Sequence, residues 1–370
     1  MKILITGGHL SPALSVIEKL KGEDILYVGR KHALEGDKAF SLEYQTIKNL
    51  GIPFFSITTG KLQRKFTRYT IPSFLKFPLG FFQSFFILKR FKPDVVLGFG
   101  GHVSLPIIII SSILKIPVVI HEQTLEAGFA NKLSARFAAK ICISFESSKR
   151  FFPFKKVVLT GNPLRKEIIE VGKTPKAENN PPLIYITGGS LGSHFINNLV
   201  KDAVKKLLKD FQVLHQTGDA KEYQDFDTLL KIKNELPENG ENYTVRKFLT
   251  PLESAEALKK ADLVVARAGI NTVTELLFLG KPSLLIPLPF TQNNEQLKNA
   301  QFLKTLGLGE ILEQKKITTE VFLHTLEEMC KNINNYKENS SKSKGLIDKD
   351  ASLKIAEAVK NVYKKKKNKN

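Results

Sequence analysis

The sequence predicts an α/β protein of two doubly wound halves, each a parallel sheet covered by helices, facing one another across a cleft. Short, nearly all-apolar, β-branched runs alternate with amphipathic segments along the chain, as expected of parallel strands buried on both faces. Ile-Thr-Gly-Gly occurs twice, as Ile5–Gly8 and Ile186–Gly189, each directly after such a run and about half a chain apart. A strand that runs into glycines and then a helix suits a phosphate or sugar. Finally, 370 residues with 42% apolar content can build two cores and are too many for one ordinary domain.

The strands expected in the first half are Lys2–Thr6, Asp24–Val28, Ile52–Ile57, Asp94–Phe99, Pro117–His121, Lys140–Ile143 and Val157–Thr160. The second half repeats the rhythm with Leu183–Thr187, Phe211–Gln216, Tyr243–Phe248, Asp262–Ala266 and Pro282–Ile286. Between the first two of these, Ile196, Leu199, Val200, Ala203, Val204, Leu207 and Leu208 keep helical spacing. The polar, proline-rich stretch 172–182 reads as the linker. The expected domains are 1–163 and 164–349, with a terminal helix over about 350–363 able to pack back on the first. The basic tail 364–370 has no apolar residue to bury and is expected to be disordered.

Charge narrows the setting. The formal net charge is +20, which suits nucleic acid, an anionic membrane surface or acidic ligands. Placement favours the membrane: Lys61–Lys92 holds eight Lys/Arg, eight Phe and no acidic residue. Basic residues interleaved with Phe and Leu read as a surface lying in a bilayer interface, or as a core helix with a solvated basic flank. Pro72, Lys76, Pro78, Gly80 and Gln83 interrupt the run, which argues against a membrane span. Met1–Thr6 already reads as a strand, so no signal peptide is expected. Cys142 and Cys330 are the only cysteines and fit a reducing compartment.

In open α/β sheets, ligands collect at the carboxyl ends of strands. The first half offers Gly7-Gly8-His9, Gly98–His102, His121-Glu122-Gln123 and Gly161–Arg165 there. The second offers Gly188-Gly189-Ser190, Gln216–Gly218 and Arg267–Thr272. Glycines, amides, histidines and arginines converge with few carboxylates, a set suited to a neutral-to-anionic ligand such as a nucleotide sugar. In Ala266–Leu276 a strand ends, Gly269 turns the chain and a helix begins near Ile270, where amide N–H groups and the helix dipole can hold a diphosphate without a metal. Glu275 is spaced either to accept hydrogen bonds from a ribose or to close a capping box with Thr272. His9 is either a base toward a sugar hydroxyl or a structural loop residue. Both His121 and Glu122 can meet one ligand only if their strand has already ended, because neighbouring strand residues face opposite ways. No metal-ligand set stands out, and no G-x-G-x-x-G follows either first strand, which argues against NAD chemistry.

These motifs together resemble the MurG family, the UDP-N-acetylglucosamine transferases that convert lipid I to lipid II in peptidoglycan synthesis. The matching runs are Gly7–Leu14, Lys92–Pro106, Ile116–Gln123, Ala127–Lys132, Gly161–Arg165, Gly188–Asn197, Ala261–Leu276 and Asn294–Ala300, in the family's order. The resemblance implies a GT-B fold, inversion at the anomeric carbon, no metal or other cofactor, no nucleic-acid partner, and a peripheral place on the cytoplasmic face of the cell membrane.

Carried over by position, the donor site comprises Arg165, Ser190, Phe248, Leu249, Gly269, Ile270, Asn271, Thr272, Glu275, Gln296 and Asn299. Ile270–Thr272 would hold the diphosphate, Glu275 the ribose, Phe248-Leu249 the uracil, and Gln296 and Asn299 the sugar. The lipid-linked muramyl-peptide would meet Gly7, Gly8, His102, Asn131 and Asn197, with His9, His121 and Glu122 as catalytic candidates. The chain departs from the family in a first glycine loop about three residues shorter than GGTGGH. Thr124 stands for an asparagine, Leu191 for a glutamine, His102 for a tyrosine, and Glu295 for the polar residue before Gln296.

Overall fold

In a computed structural model the chain forms two compact units, Met1–Arg165 with Asp348–Asn370, and Lys166–Ile347. The structure describes residues 1–32, 40–60, 70–176, 178–219, 222–236, 240–343 and 345–368; for 70–77 and 292 it describes the backbone only.

Unit one begins with β1 (Lys2–Thr6), α1 (Leu10–Lys19), β2 (Asp24–Gly29), α2 (Leu42–Asn49), β3 (Phe54–Ser56) and α3 (Thr70–Phe91). It continues through β4 (Val95–Gly98), α4 (Ser104–Ile113), β5 (Val118–Glu122), α5 (Phe129–Ser134), β6 (Lys140–Ile143) and β7 (Val157–Leu159). Its sheet has the order β3-β2-β1-β4-β5-β6-β7, with every pairing parallel. The β1–β4 step is the switch point: the chain winds outward one way as far as β3, then returns past β1 to wind the other way. The loops leaving β1 and β4 are therefore brought side by side, where such sheets bind ligands.

Unit two repeats the plan. It holds α6 (Lys166–Val171), β8 (Leu183–Thr187), α7 (His194–Leu207), β9 (Gln212–Gln216), α8 (Asp225–Asn234), β10 (Tyr243–Arg246) and α9 (Pro251–Lys260). Then come β11 (Leu263–Ala266), α10 (Ile270–Leu279), β12 (Ser283–Leu285), α11 (Glu295–Thr305), β13 (Gly309–Ile311), α12 (Thr319–Lys331) and α13 (Ile333–Ser343). Its parallel order β10-β9-β8-β11-β12-β13 makes β8–β11 the switch point. α7 follows the sequence periodicity: Ile196, Leu199, Val200, Ala203, Val204 and Leu207 are all buried. β13 escaped the sequence reading because Gly-Glu-Ile has no apolar run to mark it.

The last helix, α14 (Ala351–Lys367), belongs to unit one, where Ile355, Val359 and Val362 join the core around β1 and α1. The tail expected to be disordered from Lys364 is instead helical to Lys367; the packed stem carries the lysines into a further turn.

Of the Phe/Lys stretch, residues 61–69 lie outside the described residues. From Thr70 it is helix α3, with Pro78 inside it. Leu79, Phe82, Phe85 and Phe86 are exposed, with Lys89 over the Phe85 ring. Among the described residues no helix is long and apolar enough to cross a membrane.

Candidate active site

In unit one the loops after β1 and β4 interlock. Gly8 N–H donates to Gly100 O (3.1 Å), and Phe99 N–H to Thr6 O (2.7 Å). Gly7 takes a φ of 144°, and a Cβ there would lie 2.8 Å from the Phe99 backbone, so only glycine lets the loops close. This docking carries His9 to the start of α1, with its Nδ1 2.8 Å from the side-chain nitrogen of Gln123. Burial holds His9 below its ordinary pKa, with Glu122 pulling the other way, so the ring is neutral at neutral pH.

The strand expected to end at His121 runs one residue further, β5 extending through Glu122, so the condition for both residues to meet one ligand is not met and the two side chains leave it on opposite faces. His121 packs edge-on against Phe99 (5.6 Å), with Nε2 3.1 Å from Ser144 Oγ. Burial pulls its pKa down to about 3. Glu122 is enclosed by its own loop. It accepts from Thr124 N–H (3.0 Å), Thr124 Oγ1 (2.7 Å), Gly128 N–H (2.9 Å) and Asn131 Nδ2 (3.0 Å). A carboxylate occupied by four donors is a loop organiser, so its catalytic assignment is withdrawn. Thr124, where the family has asparagine, is one of those donors.

Asn131 also donates to His121 O (3.0 Å). Among the described residues, Thr6 Oγ1, His121 Nδ1, Gln123 Oε1 and Asn131 Oδ1 are buried without a hydrogen-bond partner. Buried polar groups are seldom left unmatched, so these atoms, gathered around the ends of β1 and β5 and the start of α5, make this the candidate polar-ligand face of unit one. His102 is half-buried in the same glycine run, and Arg165 closes this unit's first segment.

In unit two the helix start is the decisive feature. Gly269, extended at φ −64° and ψ 143°, is the N-cap of α10 and supplies no side-chain cap. The first bond of the helix's own ladder is Val273 N–H to Gly269 O (3.0 Å), so the Ile270–Thr272 turn stands ahead of it. This geometry also removes the capping-box alternative. Thr272 lies inside the helix and Glu275 in its second turn, buried.

Beside this turn, directly after β11, is Arg267, a strand-end residue outside the set carried over from the family resemblance. Its guanidinium donates to Ile286 O (2.9 Å) and Ser193 Oγ (2.6 Å); Nε has no partner, and among the described residues no carboxylate pairs with it. Burial lowers its pKa to about 10, leaving it charged at neutral pH. With Gly188, Ser193, His194 and Gln296 it lines a cavity of about 1070 Å³. Gln296 accepts from Leu288 N–H (3.0 Å), while Phe248 stands exposed after β10 and Ser190 is exposed in the loop after β8.

Asn299 is fully buried; it donates to Ala268 O (3.0 Å) and so braces the Gly269 turn, while its Oδ1 has no hydrogen-bond partner among the described residues. The Asn197 assignment is corrected here. Asn197 is also enclosed: it donates to Thr217 O (3.0 Å) and Asp225 Oδ2 (2.7 Å) and accepts from His215 Nε2 (3.0 Å), leaving nothing for an acceptor.

His215 takes a hydrogen bond from Tyr243 on Nδ1 (3.1 Å), and burial pulls its pKa to about 3. The unfolded chain, near 6.5, binds the proton first. Stability contributed by neutral His215 is thus complete above pH 6.5 and is lost as pH falls toward 3, at about 1.4 kcal/mol per pH unit. We predict that His215→Gln flattens the fall of unfolding free energy between pH 6 and about 4 by close to one proton. Denaturant titrations showing equal slopes would refute this.

Glycosyltransferase family 28 models match both halves of the chain, the N-terminal domain over residues 6–143 and the C-terminal domain over 183–361. The chain is 34% identical to the UDP-N-acetylglucosamine--N-acetylmuramyl-(pentapeptide) pyrophosphoryl-undecaprenol N-acetylglucosamine transferase of Bacillus cytotoxicus, covering 99% of this chain and 100% of that protein. The chain belongs to the MurG family. The Clostridium botulinum relative of the same name is 35% identical, over 93% of this chain and 95% of its own. The crystal structure of Acinetobacter baumannii MurG superposes with a TM-score of 0.73 at 26% identity, over 97% of this chain and 99% of that one. A UDP-GlcNAc 2-epimerase from Neisseria meningitidis, at 16% identity and a TM-score of 0.63 over 98% of this chain and 100% of its own, shares the fold alone. As a MurG-family chain this is a glycosyltransferase with two Rossmann-like domains.

Proposed function

We propose that the protein transfers N-acetylglucosamine from UDP to lipid I, forming lipid II, with inversion at the anomeric carbon and without a metal. The observation that carries this is the α10 start standing ahead of its own hydrogen-bond ladder beside the Arg267 guanidinium, which has no carboxylate partner among the described residues. Amides and a cation fixed there match the charge that develops on a departing diphosphate. Ile270, Asn271 and Thr272 would receive the diphosphate, Glu275 the ribose hydroxyls, Phe248 and Leu249 the uracil, and Gln296 the sugar; Ser190 and Arg165 would approach the phosphates. On unit one, Gly7, Gly8, His102 and Asn131 would receive the acceptor, whose hydroxyl loses its proton to neutral His9.

Purified protein given radiolabelled donor and lipid I in excess chelator is expected to form labelled lipid II. Transfer to diacylglycerol but not to lipid I would sink this reading. Glu275→Ala is expected to raise the donor KM about tenfold or more, the worth of hydrogen bonds to a charged group. An unchanged donor KM would remove the ribose assignment.

Unit one would rest on the cytoplasmic face of the membrane through α3, by insertion of Phe82 and Phe86 and attraction of Lys89 and Arg90 to anionic lipid. The Phe82→Ser/Phe86→Ser double variant is expected to bind anionic vesicles about tenfold more weakly in sedimentation, in line with the apolar area withdrawn. Equal binding would exclude α3 as the contact.

A further inference from the structure

Gln123 directly follows β5, on a platform fixed by the four donors around Glu122 and by the packing of His121 on Phe99. The side chain is buried, with one end of its carboxamide 2.8 Å from His9 Nδ1 and Oε1 unpartnered among the described residues. A carboxamide presents either a donor or an acceptor to the same neighbour by a half-turn. With NH₂ toward Nδ1, the neutral ring carries its proton on Nε2 and has no lone pair to offer there. With oxygen toward Nδ1–H, Nε2 keeps its lone pair. Moreover, a histidine that has taken up a proton donates from both nitrogens, and an NH₂ facing it would set donor against donor. Only the oxygen-in orientation serves a base before and after proton transfer. No hydrogen bond to Oε1 opposes the turn.

We propose that Gln123 is a positioning residue of the transfer, its carboxamide oxygen accepting Nδ1–H of His9 and so reserving Nε2 for the acceptor's proton. This rests on reading His9 as the base. In the step, the acceptor O–H bond breaks toward Nε2 while its oxygen bonds to the anomeric carbon. The bond from that carbon to the diphosphate breaks, its electron pair leaving with UDP. Imidazolium formation strengthens Nδ1–H···Oε1. Of the ionisable groups on β5, Glu122 favours charge on His9, and His121, which is coupled to His9 electrostatically, stays neutral.

The test is a pair of variants compared by steady-state transfer to lipid I. Gln123→Leu is expected to lower kcat about 10- to 100-fold, a part of what a general base contributes, with donor KM within about twofold. Its acid limb moves to lower pH, because an acceptor that favours imidazolium is gone. Gln123→Glu, which can only accept from Nδ1–H, is expected to keep most of kcat and to move that limb to higher pH. Wild-type kcat and pH limb in a folded Gln123→Leu, or a Gln123→Glu as impaired as Gln123→Leu, would overturn the proposal. His9→Ala separates the layers. If it loses activity and Gln123→Leu does not, only the role of Gln123 falls; if it keeps wild-type kcat, the base reading falls and takes this inference with it.

Discussion

Replacing His9 by alanine is expected to lower kcat about 10²- to 10⁴-fold, the range a positioned general base supplies, while the KM for UDP-N-acetylglucosamine changes little. The two effects separate because His9 lies in unit one and the assigned nucleotide contacts, Arg165 apart, lie in unit two. The loop that carries it is held by backbone bonds from Gly8 to Gly100 and from Phe99 to Thr6, so truncating the ring leaves its support in place. A base must be neutral to act. Burial has lowered the His9 pKa, so the wild-type acid limb is expected below the ordinary 6.5 for histidine. Activity should hold down to that limb and fall only as the ring protonates. Initial rates across pH 5–8 check both points; a kcat within threefold of wild type would dismiss His9 as the base.

Replacing Arg267 by methionine is expected to cost about 10²- to 10³-fold in kcat/KM, the scale found when one preorganised charge-stabilising group is removed. Methionine keeps the aliphatic stem and removes the charge. The cation is held by Ile286 O and Ser193 Oγ, has no carboxylate partner among the described residues, and stays protonated at neutral pH although burial has lowered its pKa to about 10. A half-buried charge left unpaired costs stability, so removing it is expected to leave the melting temperature unchanged or higher. Lost activity together with retained stability would mark a functional residue. Unchanged kcat/KM would place the diphosphate elsewhere.

Much of this molecule is legible along the chain. Parallel strands buried on both faces must be short and apolar, so β1, β2, β8 and β11 stand out, and their order follows from two rounds of alternating strand and helix. The two Ile-Thr-Gly-Gly copies lead into the switch points because glycine is needed where backbone meets backbone, as Gly7 meets Phe99. The α10 start was readable for the same local reason: a strand end, a glycine and a helix are consecutive in sequence.

The roles of polar side chains were not readable in this way, because a carboxylate or amide does not declare its partners. Glu122 and Asn197 lie in the family's motifs, yet each is consumed by neighbours within its own unit. Gln123 and Arg267 had the opposite fate, since only the folded chain shows a hydrogen-bonding atom left over. Periodicity and glycines determined where the strand-end loops lie, because backbone geometry is a local property. Tertiary packing alone decided which side chains there remain unspent, because hydrogen-bond satisfaction is settled between residues far apart in sequence.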